Sequence, residues 1–193
     1  MAERQSEIVI EKASVNQAPV IASLIMEAMD YDCCQNLAGP DHTLEDFHIL
    51  MTRLVEEDNS QYSYKNAIVA MTGGEVAGVL VGYDGKDLSE LRKAFINGAC
   101  SMLGQDFSNI ADETNENEFY IDSLCVKKEF RGQGIATKLL KHTLKLHKNE
   151  PVGLLVDFTH PDAERLYLSL GFKFINETSW AGHKMKHLQW STK

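Results

Sequence analysis

Apolar positions change their period along the chain, and the changes mark out its elements. Residues 7–13 alternate, with Ile8 and Ile10 on one side, and read as a half-buried strand. Ser14 then caps a helix over 15–29, where Ala18, Ile21, Ala22, Ile25 and Met29 keep helical spacing and Pro19 stands early enough to be tolerated. Residues 30–42, broken by Gly39-Pro40, read as a loop. Thr43 caps a second helix with Leu44, Phe47, Met51, Leu54 and Val55 on one face. Two β-rich runs, 67–71 and 76–83, join through Thr72-Gly73-Gly74-Glu75 as a hairpin. Helical spacing returns over 87–103, followed by a polar segment, 104–118, that reads as a mobile connection.

The second half is organised by residues 119–148: an apolar strand, a glycine loop, and a helix with Ala136, Leu139, Leu140, Thr143 and Leu144 at helical spacing. After Asn149-Glu150-Pro151, residues 152–158 form an apolar run read as a buried strand. Thr159-His160-Pro161-Asp162 opens a helix carrying Ala163, Leu166, Tyr167 and Leu170, stopped by Gly171. Two β-rich runs, 172–176 and 183–190, close the chain. The predicted order is β-α-α-β-β-α-β-α-β-α-β-β, an α/β (α+β) arrangement in which a mixed sheet carries helices on its faces.

Composition narrows the function classes. At 193 residues, one domain spanning 1–193 is expected, with a real core. With 44% hydrophobic and 24% charged residues, disorder and fibrous repeats are excluded. A net charge of −9 weakens attraction to phosphate backbones and favours cationic partners, so no nucleic acid is expected. Cys33, Cys34, Cys100 and Cys125 form no C-x-x-C or paired framework, and no secretory signal or bilayer-length apolar run is seen. The expectation is a cytoplasmic protein with no membrane partner.

The glycine loop carries the first chemistry. In Arg131-Gly132-Gln133-Gly134-Ile135-Ala136, glycines at alternate positions let backbone approach a ligand, and the N–H groups of the following helical turn face outward. Such a terminus accepts anions, phosphate above all, and Lys127, Lys128 and Arg131 add positive charge. A structural strand-to-helix turn accounts for the same glycines.

A second motif separates these readings. Val126-x-x-x-x-Arg131-Gly132-x-Gly134-Ile135-Ala136, followed by His160-Pro161-x-Ala163-x-x-Leu166-Tyr167-x-x-x-Gly171-Phe172, resembles the GNAT superfamily of acetyl-CoA-dependent N-acetyltransferases. The resemblance is specific over residues 119–174 and implies the GNAT fold, with a mixed, mostly antiparallel sheet. It implies that the amides of Arg131, Gly132, Gln133, Gly134, Ile135 and Ala136 hold the pyrophosphate of acetyl-CoA, assisted by the Thr137 hydroxyl. The strand edge at Leu124, Cys125 and Val126 pairs with the pantetheine arm, and the Leu124 N–H faces the thioester carbonyl. Tyr167 matches the tyrosine that hydrogen-bonds or protonates the departing sulfur; on periodicity alone it is equally a core aromatic. His160 stands where many relatives have asparagine, and with Ala163 it is carried over as a cofactor contact.

The acceptor amine must lose a proton before it attacks. Asp122, a carboxylate inside an apolar strand and of the same strand parity as Leu124, is the candidate base, beside the reading of a structural aspartate. Asp157 is a second carboxylate with the same ambiguity. Cys125 reads as packing, and His183 and His187, on a strand, are not expected to bind metal. The expected activity is acetyl transfer to a primary amine by direct attack in a ternary complex, on a small-molecule amine ahead of a protein tail, with a homodimer left open. The rival readings are a non-catalytic acyl-CoA-binding module and a dinucleotide oxidoreductase, whose third fingerprint glycine is replaced here by Thr137.

Overall fold

The computed structural model describes residues 7–192. Seven strands form one sheet in the order β1-β2-β3-β4-β5-β7-β6. They are β1 (Val9–Lys12), β2 (Ala67–Thr72), β3 (Glu75–Asp84), β4 (Phe119–Val126), β5 (Val152–Asp157), β6 (Lys173–Trp180) and β7 (His183–Trp190). All neighbouring pairs are antiparallel except β4 with β5. The sheet is therefore mixed and mostly antiparallel, as expected.

Helices cover both faces because the strands alternate apolar side chains on both. One core joins α1 (Ala18–Met29), α2 (Tyr31–Ala38), α3 (Leu44–Glu56) and α4 (Leu88–Leu103) to Val69, Val79, Val81 and Cys125. The other joins α5 (Ile135–Leu146) to Ala70, Leu80, Ile121, Leu154 and Leu188, with Ala163, Leu166 and Tyr167 of α6 (Pro161–Ser169) packed against it. Ile8 and Ile10 pack on this second core, consistent with the alternation read there.

Three expectations are corrected. Residues 30–42 are not a plain loop, since α2 lies within them. Asp30 turns the chain at φ 72 and ψ 137, outside the left-handed helical well, and its carboxylate accepts from the Asp32 N–H at 3.0 Å, restarting the helix without glycine or proline. Cys33, Cys34, Leu37 and Ala38 then bury the new helix's inner side. The last hairpin is longer than read, with β6 extending to Trp180. Residues 104–118 lack regular structure but are anchored. Arg92 of α4 binds Asp112 and Glu113, while the buried Glu118 accepts from Gln189 at 2.8 Å and Thr114 at 2.9 Å and meets His187 at 3.0 Å.

Candidate active site

The site is an opening in the sheet. β4 and β5 pair only at Phe119 with Val152, Tyr120 with Gly153 and Ile121 with Leu154, and beyond that point the strands part. On its other edge β4 stays paired with β3 as far as Val126. The Lys127 N–H donates to the Ala77 carbonyl at 2.9 Å, and hydrogen-bonded pairs alternate along an antiparallel ladder. Ser123 and Cys125 therefore turn their amides toward β3, while Leu124 and Val126 turn theirs into the opening. Of the three residues expected to line a pantetheine arm, Leu124 and Val126 offer backbone groups. Cys125 does not; its thiol is buried among the α1–α4 helices, and burial, reinforced by Glu27, pushes its pKa up to about 12. That leaves it a packing residue rather than a nucleophile.

A bulge sits at the mouth of the opening. Val81 faces Ser123 but Gly82 faces Ile121, so Asp122 is the extra residue of β4. The expected parity with Leu124 is thereby lost. Leu124 packs toward α5, whereas Asp122 faces the opposite side, where Tyr83 and Gln61 reach its Oδ2 at 3.1 and 3.3 Å. Ser123 donates to Oδ1 at 2.8 Å. Burial, and then the nearby Glu113 carboxylate, raise the Asp122 pKa to about 7 against the opposing hydrogen bonds. A group with that pKa exchanges protons near neutrality, as a general base requires.

Asp157 differs. Burial raises its pKa, but the Thr159 N–H at 2.7 Å, the Thr159 hydroxyl at 2.8 Å and His183 outweigh it, and the net shift is downward. It is a turn-capping aspartate and a weak base.

Below the opening, Gly132 and Gly134 take left-handed conformations at φ 77 and 76, and a Cβ at either would meet open space. Gly134 starts α5 without a side-chain cap, and the first helical bond runs from Lys138 N–H to the Gly134 carbonyl at 3.0 Å. The amides of Ile135, Ala136 and Thr137 are thus the helix's unpartnered donors. The loop cations were expected to add free positive charge, yet Arg131 pairs with Glu27 at 2.5 Å and Lys127 with Glu75 at 3.2 Å. Arg131 Nε also donates to the Val126 carbonyl at 3.0 Å, pinning the loop to the end of β4. The groups that face this space are therefore backbone amides, with Gln133 half-buried beside them.

Tyr167 is half-buried on α6, its ring 5.8 Å from that of Phe172. Burial pushes its hydroxyl pKa up to about 12. His160 is exposed at the start of α6, its Nδ1 3.3 Å from the Thr159 hydroxyl, and Ala163 packs inward one turn later.

Four residues of the site escaped sequence reading: Arg92, Glu113, Gln61 and Tyr83. The one local signal was Arg92 itself, four residues after Leu88 on the apolar face of α4. A groove of about 490 Å³, along Lys12, Ile68, Asp84, Glu90 and His147, holds none of the site residues expected from sequence.

The acetyltransferase (GNAT) family model matches residues 31–172. The chain belongs to this family. GNAT relatives among curated proteins include a probable spermine N(1)-acetyltransferase of Bacillus subtilis subsp. natto (strain BEST195), 32% identical over 79 residues, or 38% of this chain and 52% of that one. The chain thus spans about half the length of the curated relative it matches. A crystal structure of an acetyltransferase superposes with TM-score 0.79 at 28% identity, covering 96% of this chain and 100% of the other. An N-acetyltransferase from Staphylococcus aureus Mu50 gives TM-score 0.81 at 21% identity, covering 94% and 100%, and shows the shared fold. Among the described residues no helix is long and apolar enough to cross a membrane.

Proposed function

We propose that this GNAT chain transfers an acetyl group from acetyl-CoA to a primary amine of a small cationic acceptor, by direct attack within a ternary complex. The observation that carries the reading is the parting of β4 from β5. It leaves the backbone edge of Leu124 and Val126 without a β5 partner, between an uncapped helix terminus on one side and Asp122 on the other.

The residues fit acetyl-CoA: open space lies in front of Gly132 and Gly134, and three free amides follow. Acetyl-CoA supplies the acyl carbon and a thiolate leaving group. The amides of residues 132–137 bind its pyrophosphate, and the edge of β4 aligns the pantetheine arm as an added strand. The Leu124 N–H stabilises negative charge developing on the carbonyl oxygen. Asp122 takes the proton of the attacking amine. An alkylammonium of pKa about 10.4 costs roughly 5 kcal/mol to deprotonate at pH 7, and a carboxylate poised near neutrality in a desolvated site offsets part of it.

Tyr167 completes the set as a donor to the departing sulfur. With its pKa at about 12, full proton transfer to a thiolate of pKa about 8.5 is uphill by roughly 5 kcal/mol. A hydrogen bond to the thiolate is the role it fits. Tyr167→Phe is therefore expected to lower kcat by about 10- to 100-fold, the worth of one hydrogen bond to a charged group. Steady-state assays showing an unchanged kcat would take Tyr167 out of the reaction.

For the acceptor, a cavity of about 400 Å³ lies between α2, residues 106–110 and the β6–β7 turn at Ala181. Its lining pairs apolar Leu37, Phe107 and Ile110 with Asp106, whose pKa is held down by the Ser108 N–H. An apolar wall with one carboxylate, Asp106, suits an alkylamine, and a polyamine is the substrate class named for the Bacillus relative. The test is an acceptor screen with acetyl-CoA, read by thiol release, over polyamines, monoamines and lysine peptides. Polyamine turnover with no peptide turnover is expected. Tight acetyl-CoA binding without turnover of any amine would instead mark a non-catalytic binding module.

A further inference from the structure

The groups around Asp122 do not act on it singly. Glu113, on the connection between α4 and β4, is buried, with its side chain 3% exposed. Arg92, itself 6% exposed, holds it from behind: Nη2 meets Glu113 Oε2 at 2.6 Å, while Nη1 meets Asp112 at 2.8 Å and the Ile110 carbonyl at 3.3 Å. The other oxygen, Glu113 Oε1, accepts from Gln61 Nε2 and the Tyr83 hydroxyl, both at 2.9 Å. These same two donors reach Asp122 Oδ2.

Counting hydrogens shows what this sharing does. Gln61 Nε2 carries two and can serve both carboxylates, but the Tyr83 hydroxyl carries one and can serve a single oxygen. With both carboxylates ionised, the Tyr83 hydrogen serves only one of them, leaving two lone-pair sites face to face at the other contact, and two negative charges lie close in a desolvated space. One added proton closes the set: Asp122 Oδ2–H donates to the Tyr83 oxygen, whose hydrogen goes to Glu113. Arg92 touches Glu113 and not Asp122, so the proton settles on Asp122. Tyr62, preceding β2, and Tyr120 of β4, both buried, lie within electrostatic reach of Asp122, and the Ser123 hydroxyl donates to it. None of them supplies a positive charge.

We propose that Glu113, clamped by Arg92, is a positioning residue that strengthens Asp122 as a base, by placing a negative charge beside its carboxylate and competing with it for the Gln61 and Tyr83 donors. The proposal rests on the reading of Asp122 as the proton acceptor, and the test separates the two. Carbon-13 NMR of the full chain follows the Asp122 carboxyl through a pH titration, assigned with Asp122→Asn, independently of activity. In the native chain the midpoint is expected near 7. In Glu113→Gln it should fall by about one unit or more, and the acid limb of kcat/KM should move with it. At pH 6 that raises the activity, relative to its own plateau, by about fivefold.

Because Glu113→Gln leaves Arg92 with one partner fewer, the double variant Glu113→Gln/Arg92→Gln, which removes both charges, is measured in parallel. A downward shift is again expected, smaller than in Glu113→Gln because the positive charge of Arg92 is removed as well. An unmoved midpoint in a cooperatively folding variant would overturn the role of Glu113 and leave Asp122 in place. A shifted midpoint with an unmoved acid limb would overturn Asp122 as the base, and the positioning role with it.

Discussion

Asp122→Asn is expected to lower kcat by about 10²- to 10⁴-fold at neutral pH, the range for loss of a positioned general base. In the native chain, activity should climb with pH through about 7, because the carboxylate must be ionised to take the amine's proton and its pKa lies there. A residual rate in Asp122→Asn should lose that limb. The same shift has a consequence for stability, with opposite sign. The folded chain binds the Asp122 proton more tightly than the unfolded chain, where an aspartate titrates near 3.9. Stability therefore falls as pH rises from about 4 to about 7, and the ionised carboxylate is a burden above that range. Asparagine removes the dependence, so Asp122→Asn should unfold at a higher temperature than the native chain at pH 8 and show less gain at pH 5. Thermal unfolding at the two pH values, beside a pH–rate profile, checks both halves. Native-level turnover in the variant would exclude Asp122 from the chemistry.

Gly134→Val is expected to weaken acetyl-CoA binding by about 100-fold or more in calorimetry. Gly134 sits at φ 76, and no atom of the protein lies within 4 Å of a Cβ built there. The cost to folding is then the backbone strain alone, roughly 1–2 kcal/mol, or a Tm lower by a few degrees. The new side chain instead fills the space before the free amides of α5, where a phosphate must come close. Gly104, at φ 64 past the end of α4 and equally open, provides the comparison. Gly104→Val should lose similar stability and keep its affinity for acetyl-CoA. Equal affinity in both variants would place the pyrophosphate elsewhere.

These two residues differ in how openly the chain announced them. Gly134 was legible because a left-handed turn opening a helix is written in adjacent residues, and the Ala-x-x-Leu-Tyr element downstream gave it a partner. Asp122 was legible as an oddity, a carboxylate in an apolar strand, but its face of the sheet was misjudged. Strict alternation holds only while the ladder is regular, and the bulge opposite Val81 and Gly82 breaks it. Arg131 was read as adding positive charge to the loop, and its guanidinium is engaged by Glu27 and the Val126 carbonyl. Glu113 lay in a segment whose polarity resembled a mobile loop, and only its burial against Arg92 gave it a role.

What the sequence determined by itself was whatever depends on neighbours a few residues apart: the apolar faces of the helices, the β2–β3 hairpin, the glycine turn into α5, and the Tyr167 helix. Periodicity and turn preference act over that range, so they survive without tertiary contacts. The parting of β4 from β5 and the Asp122 cluster were decided only in the folded chain. Gln61 and Tyr83 reach Asp122 across 61 and 39 residues of chain. A carboxylate's proton affinity is set by what burial removes and what charge remains beside it, and neither exists until those distant strands and helices have packed.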